Sequence, residues 1–250
     1  MRPICLFTDF GPTGPYVGQV KAALHVHAPG APVIDLMADA PAFDPMASAY
    51  LLAALLPRMP ADAVVMAVVD PGVGGPRLPL IVQADGRFLV GPDNGLLALA
   101  QRWAASSRVW AITWQPPTLS ATFHGRDLFA PMAAALAAGT GPDDLAVALN
   151  QGIVGSDWPD DLARIVYIDP YGNAMTGLRG SCILAEQFLR VGQYILPPAR
   201  TYSDHALGAG FWYVNSIGLV EISVNCGHAA RQLALNVGDI VVCDEKNVPT

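Results

Sequence analysis

Strand-like and helix-like segments alternate through the first 150 residues of the chain, and this rhythm restricts the fold more than any other feature. The run PICLF predicts a buried strand that stops at Thr8-Asp9-Phe10-Gly11. Tyr16–His27 predicts a helix and Val33–Met37 a second strand. Asp44 and Pro45 supply an N-cap and a first-turn proline for a helix running to about Leu56. Ala63–Val69 predicts the next strand, and Leu80–Gln83 and Phe88–Val90 flank Asp85-Gly86, a hairpin signal. Asn94 opens an expected helix to about Trp103, Val109–Thr113 predicts strand, and Arg126–Ala138 predicts helix. Strands alternating with helices imply an α/β fold, a three-layer domain with a mostly parallel sheet.

The rhythm breaks near residue 150. Gly152–Asp161 has the Gly, Pro, Ser and Asp content of a linker. Short β-type runs follow: Arg164–Ile168, Arg190–Val191, Phe211–Val214, Leu219–Val224 and Asp239–Cys243, with one short helix expected at about Ala229–Leu235. This half predicts a small β-barrel or sandwich. The expected division is an α/β domain over residues 1–151 and a β-barrel domain over 163–250.

Composition excludes several classes. Hydrophobic residues make up 52% and charged residues 14%, which rules out a disordered chain. The net charge of -7 leaves no basic stripe to neutralise a phosphate backbone, so no nucleic-acid partner is expected. No segment reaches the roughly 18 consecutive apolar residues that a membrane-spanning helix needs. Few apolar residues precede Asp9, so no signal peptide is expected. Cys5, Cys182, Cys226 and Cys243 stand far apart without a CxxC pair, which suits reduced thiols in a cytoplasmic protein and argues against a zinc site.

The chemistry concentrates in loops. In VVDPGVGGPRLPLIV, residues 68–82, an apolar run stops at Asp70 and resumes beyond a stiff loop that carries Arg77. The glycines do not form a dinucleotide-binding fingerprint, because Pro76 and Pro79 forbid the helix that must follow. Asp70 and Arg77 suggest an ion pair, structural or functional, since a buried carboxylate needs a partner. Asp9, Asp70 and Asp93 lie at or just past strand ends, where an open parallel sheet presents its ligand crevice. Any one of them is equally well an Asx turn or a cap; three together favour a site. His124 stands in a loop before a helix and has no apolar face to join. In the second half, Asp169 and Asn173 surround a tight turn, and Tyr213–Gly218 offers further polar groups.

Six ordered motifs carry a resemblance: TDFG, DPGVG with its following arginine, GPDNG, TFHGRD, a D-x-x-GN turn and NSxGxxEI. Together they span nearly the whole chain, which resembles the adenosine-forming S-adenosylmethionine (SAM) hydrolases, or SAM hydroxide adenosyltransferases, relatives of the fluorinases and chlorinases. The resemblance implies hydrolysis of SAM to adenosine and methionine by attack of water at C5′, without metal or other cofactor. It also implies a homotrimer binding SAM at subunit interfaces. Its water-holding set falls on Asp70, Arg77 and His124. Asp9 falls where the family binds the ribose hydroxyls, Asp169 and Asn173 where it contacts the methionine and adenine ends, Ser216 near the methionine carboxylate, and Phe43 where an aromatic stacks on the substrate. Asp93, Asn94, Phe123 and Ala229 complete the expected substrate-binding set. The chain departs from its relatives at Pro15, where many have an acid, and at Ile217, where halogenases carry arginine. The rival readings are a halogenase using the same C5′ and a non-catalytic SAM- or nucleoside-binding module.

Overall fold

The structure is a computed structural model and describes residues 1–244; the expected second domain, 163–250, therefore ends outside the described residues. The chain divides into two compact units, residues 1–158 and residues 159 onward.

The first unit is built on one seven-stranded sheet. Its elements in chain order are β1 (Ile4–Thr8), α1 (Tyr16–His27), β2 (Val33–Met37), α2 (Pro45–Leu55), β3 (Val64–Val68), β4 (Pro79–Ala84), β5 (Arg87–Pro92), α3 (Ala98–Trp103), β6 (Ser107–Ile112), α4 (Ala130–Ala138) and β7 (Ala146–Ala148). The strand order is β2-β1-β3-β5-β4-β6-β7. The first four strands in that order pair in parallel, while β4 is antiparallel to both β5 and β6, and β7 is antiparallel to β6. Five of the seven strands consequently point one way, so the sheet is mostly parallel. Helices α1 and α4 pack together, as do α2 and α3. Ile4, Leu6, Val64, Met66 and Val68 share a buried cluster with Val20 and Leu24 of α1 and with α4. The alternate residues Cys5, Phe7, Val65 and Ala67 are buried as well. That is the near-continuous apolar strand expected of a sheet covered on both faces.

Local signals account for most element ends. The Asp44 carboxylate accepts the Ala47 N–H at 2.9 Å and Pro45 takes the first turn of α2. The helix expected from Asn94 instead starts at Ala98, because Asn94 is spent on a turn: its Oδ1 accepts the Leu96 N–H at 3.2 Å and its Nδ2 donates to the Val69 carbonyl at 2.8 Å.

The second unit contains β8 (Leu162–Ile168), β9 (Ala174–Arg179), β10 (Phe188–Val191), β11 (Tyr194–Leu196), β12 (Gly210–Val214), β13 (Leu219–Val224), α5 (Ala229–Gln232) and β14 (Val241–Asp244). They form two antiparallel sheets, β11-β10-β14 and β12-β13-β9-β8. Single bridges, Arg164 to Ile240 and Pro198 to Trp212, link the sheets at both edges and close the barrel. Strands β9 and β11 were not expected from the sequence, since their runs are short and interrupted by glycine or proline neighbours. Helix α5 ends at Gln232, earlier than expected, as Ala234 turns to φ 51° in the left-handed region.

Candidate active site

Asp9 and Asp70 follow the adjacent parallel strands β1 and β3 and line one cavity of about 380 Å³. Phe43, Phe123 and His124 line it too. Asp93 follows β5 but does not reach this cavity. It lines a neighbouring one of about 450 Å³ with Asn94 and Arg77, and its Oδ1 accepts the Val154 N–H at 2.9 Å. The three strand-end acids thus divide between two cavities, and Asp70 touches both.

The loop from Asp70 to Arg77 folds back tightly. Gly74 adopts φ +82°, and a side chain there would run into the Ala121 carbonyl. That close approach seats the loop against the segment carrying His124. Arg77 Nε lies 3.1 and 3.0 Å from Asp70 Oδ1 and Oδ2, Nη2 also bonds Oδ2, and the same Nη2 lies 3.0 Å from His124 Nδ1. Guanidinium can only donate, so His124 Nδ1 accepts and the neutral imidazole carries its proton on Nε2. Burial, and then the Arg77 charge, hold the His124 pKa below the usual histidine value. A single π-helical turn, Gly125–Phe129, follows His124 directly and leads into α4.

Asp9 is held differently. Its Oδ2 accepts the Phe43 N–H at 3.3 Å. Burial pushes its carboxyl above the usual carboxylate range, the Phe43 bond opposes this, and the nearby Asp70 adds to it. Phe43 has φ 60° and is 78% exposed at the cavity rim. Phe10, Tyr16 and Phe123 form an edge-to-face cluster, with Phe10–Phe123 and Tyr16–Phe123 centroids 5.6 and 5.5 Å apart. Sequence reasoning did not single out Phe10, Tyr16, Val73 or Thr122, which also line the cavity. Phe10 lies inside the TDFG motif, which was the available signal.

In the second unit, the D-x-x-GN turn is closed by Asp169, whose Oδ1 accepts the Tyr171 and Asn173 N–H groups at 2.9 and 2.8 Å. Its Oδ2 accepts from Asn173 Nδ2 at 3.0 Å. Gly172 adopts φ +88°, and any side chain there would collide with the His228 ring. The Ala230 N–H donates to the Gly172 carbonyl at 2.9 Å, which brings the start of α5, with buried Ala229, onto this turn. Ser216 is exposed at the tip of the β12–β13 hairpin. Among the described residues, no group of three or more His, Cys, Asp or Glu side chains is arranged to hold a metal ion, and no helix is long and apolar enough to cross a membrane.

An α/β unit with polar side chains gathered at its strand ends presents a crevice of the kind in which open α/β sheets bind small molecules, and a unit of two antiparallel sheets follows it in the chain. Residues 4–146 match the model of the SAM hydroxide adenosyltransferase N-terminal domain and residues 163–242 that of its C-terminal domain. The chain belongs to the SAM hydroxide adenosyltransferase family. It is 39% identical to an (R)-S-adenosyl-L-methionine hydrolase of Thermus thermophilus, over 95% of this chain and 98% of that protein. A Salinispora arenicola protein of the same name is 36% identical over 94% of this chain and 95% of its own. Among solved structures, an uncharacterised conserved protein from Thermotoga maritima superposes with a TM-score of 0.87 at 26% identity, covering 97% of this chain and all of that one.

Proposed function

We propose that this chain hydrolyses S-adenosyl-L-methionine to adenosine and L-methionine, with water attacking C5′. The observation that supports the reading best is the buried Asp70–Arg77–His124 cluster, of which Asp70 and His124 line the cavity that also holds Asp9. A new O–C5′ bond forms as the C5′–S bond breaks, and the electron pair passes to sulfur. The sulfonium leaves as a neutral thioether, so no general acid is needed. Water must instead be held in line and lose a proton. Arg77 occupies His124 Nδ1, so the neutral imidazole offers Nε2–H as a donor and the Asp70 carboxylate is the group left to accept the water's proton. Fixing that water behind C5′ contributes several kcal/mol, of the order seen for well-oriented intramolecular reactions, about 7–11 kcal/mol at the upper limit.

In this reading Asp9 takes the ribose hydroxyls, Phe43 and Phe123 cover the nucleoside, and Asp93 and Asn94 hold the neighbouring loop. Asp169, Asn173, Ser216 and Ala229 take the methionine and adenine ends. The protein assembles as a homotrimer with SAM at subunit interfaces and works in the cytoplasm, where cysteines outside any disulfide suit a reducing compartment. Light scattering tests the assembly by a mass three times that of the chain.

The activity is tested by incubation with SAM in heavy-oxygen water, beginning with the R epimer in the curated relatives' names. The label is expected in the 5′-hydroxyl of adenosine. Label in methionine, or adenine or methylthioadenosine as the main product, would overturn the reading; binding of SAM without turnover would leave a non-catalytic module.

A further inference from the structure

Glu221 is the acid of the NSxGxxEI motif, lies in β13, and is only 2% exposed. Its described partners are uncharged: the Tyr213 hydroxyl at Oε1, and Asn215 Nδ2, 2.8 Å from Oε2. From Tyr213 a string of hydroxyls continues. Tyr213 and Tyr202 hydroxyls are 3.2 Å apart, Tyr202 and Ser223 hydroxyls 3.1 Å, and Ser223 Oγ lies 2.8 Å from Asn173 Oδ1.

The direction of this string follows from its far end. The Asp169 carboxylate only accepts, so the Asn173 amide turns its NH2 to Asp169 and its oxygen to Ser223. Ser223 must therefore donate. Its contact with Tyr202 then needs the Tyr202 proton, and the contact of Tyr202 with Tyr213 needs the Tyr213 proton. The last contact, Tyr213 to Glu221, has no hydroxyl proton left. Four contacts and three hydroxyls are all hydrogen bonds only if the carboxyl supplies the fourth proton. The other side of Glu221 agrees. Asn215 Oδ1 accepts the Ile217 and Leu219 N–H groups at 3.1 and 3.0 Å, so its NH2 is fixed on Oε2. Oε2 is then the carbonyl oxygen and Oε1 carries the proton.

We propose that Glu221 is a positioning residue: a neutral carboxylic acid heading a one-way hydrogen-bond chain through Tyr213, Tyr202 and Ser223 that fixes the Asn173 amide for the polar edge of the nucleoside. The groups facing it are Tyr213 of β12, with Tyr202 behind it, Asn215 of the hairpin, and Asp169 after β8. Burial first, and the Asp169 charge in addition, favour the protonated form; the Asn215 N–H bond opposes it, as would a Tyr213 hydroxyl that donated to Oε1. Among the described bonds the Asn173 NH2 spends one proton on Asp169 and keeps the second for a ligand. The same acid pins Asn215 and with it the hairpin that carries Ser216. One buried side chain thereby orders both loops.

That Asn173 meets the ligand rests on the function proposed above, and the experiment separates the two. Infrared difference spectra between wild type and Glu221→Gln at pH 7 read the proton directly, without substrate. A protonated-carboxyl C=O band in the wild type, lost in the variant, is expected; only carboxylate bands would overturn the proposal. Kinetics with SAM then read the positioning. Tyr202→Phe, at a partly exposed ring, breaks the chain midway and is expected to raise KM about three- to tenfold with kcat within about twofold, the scale of one neutral hydrogen bond. Glu221→Leu should do the same if it folds, and Glu221→Gln, whose NH2 replaces the acid's O–H donor, should recover most of the loss. An unchanged KM in Tyr202→Phe, or Gln no better than Leu, would overturn the positioning role. A wild type that does not turn SAM over would overturn the proposed function instead, while the spectra still decide the state of Glu221.

Discussion

Arg77 Nε sits 3.1 and 3.0 Å from the two carboxylate oxygens of Asp70, with the two side chains only 10% and 4% exposed. Removing one member of such a pair leaves a charge that neither water nor protein compensates. Arg77→Met and Asp70→Ala are each expected to lower stability by about 3–5 kcal/mol, and the double variant by clearly less than their sum. Urea unfolding of the three variants checks this; strictly additive losses would show that the pair is not coupled.

His124 acts in the proposed reaction as a neutral imidazole. Its depressed pKa means protonation begins only below the usual value of about 6.5. As pH falls through that depressed value, the ring gains a proton, loses the bond from Arg77 and meets a like charge. The kcat/KM profile is expected to be flat above pH ~6.5 and to fall on the acid side. His124→Asn, which still accepts from Arg77, should lose this limb and about 10²–10⁴ of the rate. An unchanged acid limb in the variant would remove His124 from the pH dependence.

Asp9 should show opposite effects on stability and binding. For an acid whose folded pKa is raised, the folded state binds more protons in the window just above the unfolded value, so its contribution to stability falls as pH rises through that window. At pH 7 Asp9→Asn is expected to leave the free protein as stable or more stable. Its affinity for adenosine, measured by calorimetry, should fall roughly ten- to hundredfold, the scale of charged hydrogen bonds. Loss of stability together with unchanged affinity would contradict the ribose role.

Phe43 combines a positive φ with a ring left in solvent. A residue in the left-handed region stores about 1–2 kcal/mol that glycine does not. Phe43→Gly should therefore unfold no more readily than the wild type, yet bind adenosine more weakly by about 1–3 kcal/mol if the ring stacks on the base. Equal affinity would show that the ring does not touch the ligand.

Residues whose role is set by close neighbours in sequence were legible without a structure. The Asp44-Pro45 cap, the Asp85-Gly86 hairpin and the Asp169–Asn173 turn all close over a few residues, so residue type and spacing suffice. Asn94 shows the limit of such reasoning. Its turn and a helix cap use the same side-chain oxygen, and only the bond to Val69, 25 residues away in sequence, selects the turn.

The chain's sequence by itself determined the alternation of elements, the acids at strand ends and the ordered motifs, because propensity, patterning and turn chemistry are local. Tertiary structure decided which of these meet. It joined Asp70 and Arg77 to His124, 47 residues beyond Arg77, through a glycine loop pressed on the Ala121 carbonyl. It turned Asp93 toward Val154, away from the cavity of Asp9, and set a buried glutamate at the head of a string of hydroxyls. Such contacts depend on how strands and loops pack in three dimensions. Burial then sets the charge each group can carry, and no spacing in the sequence encodes it.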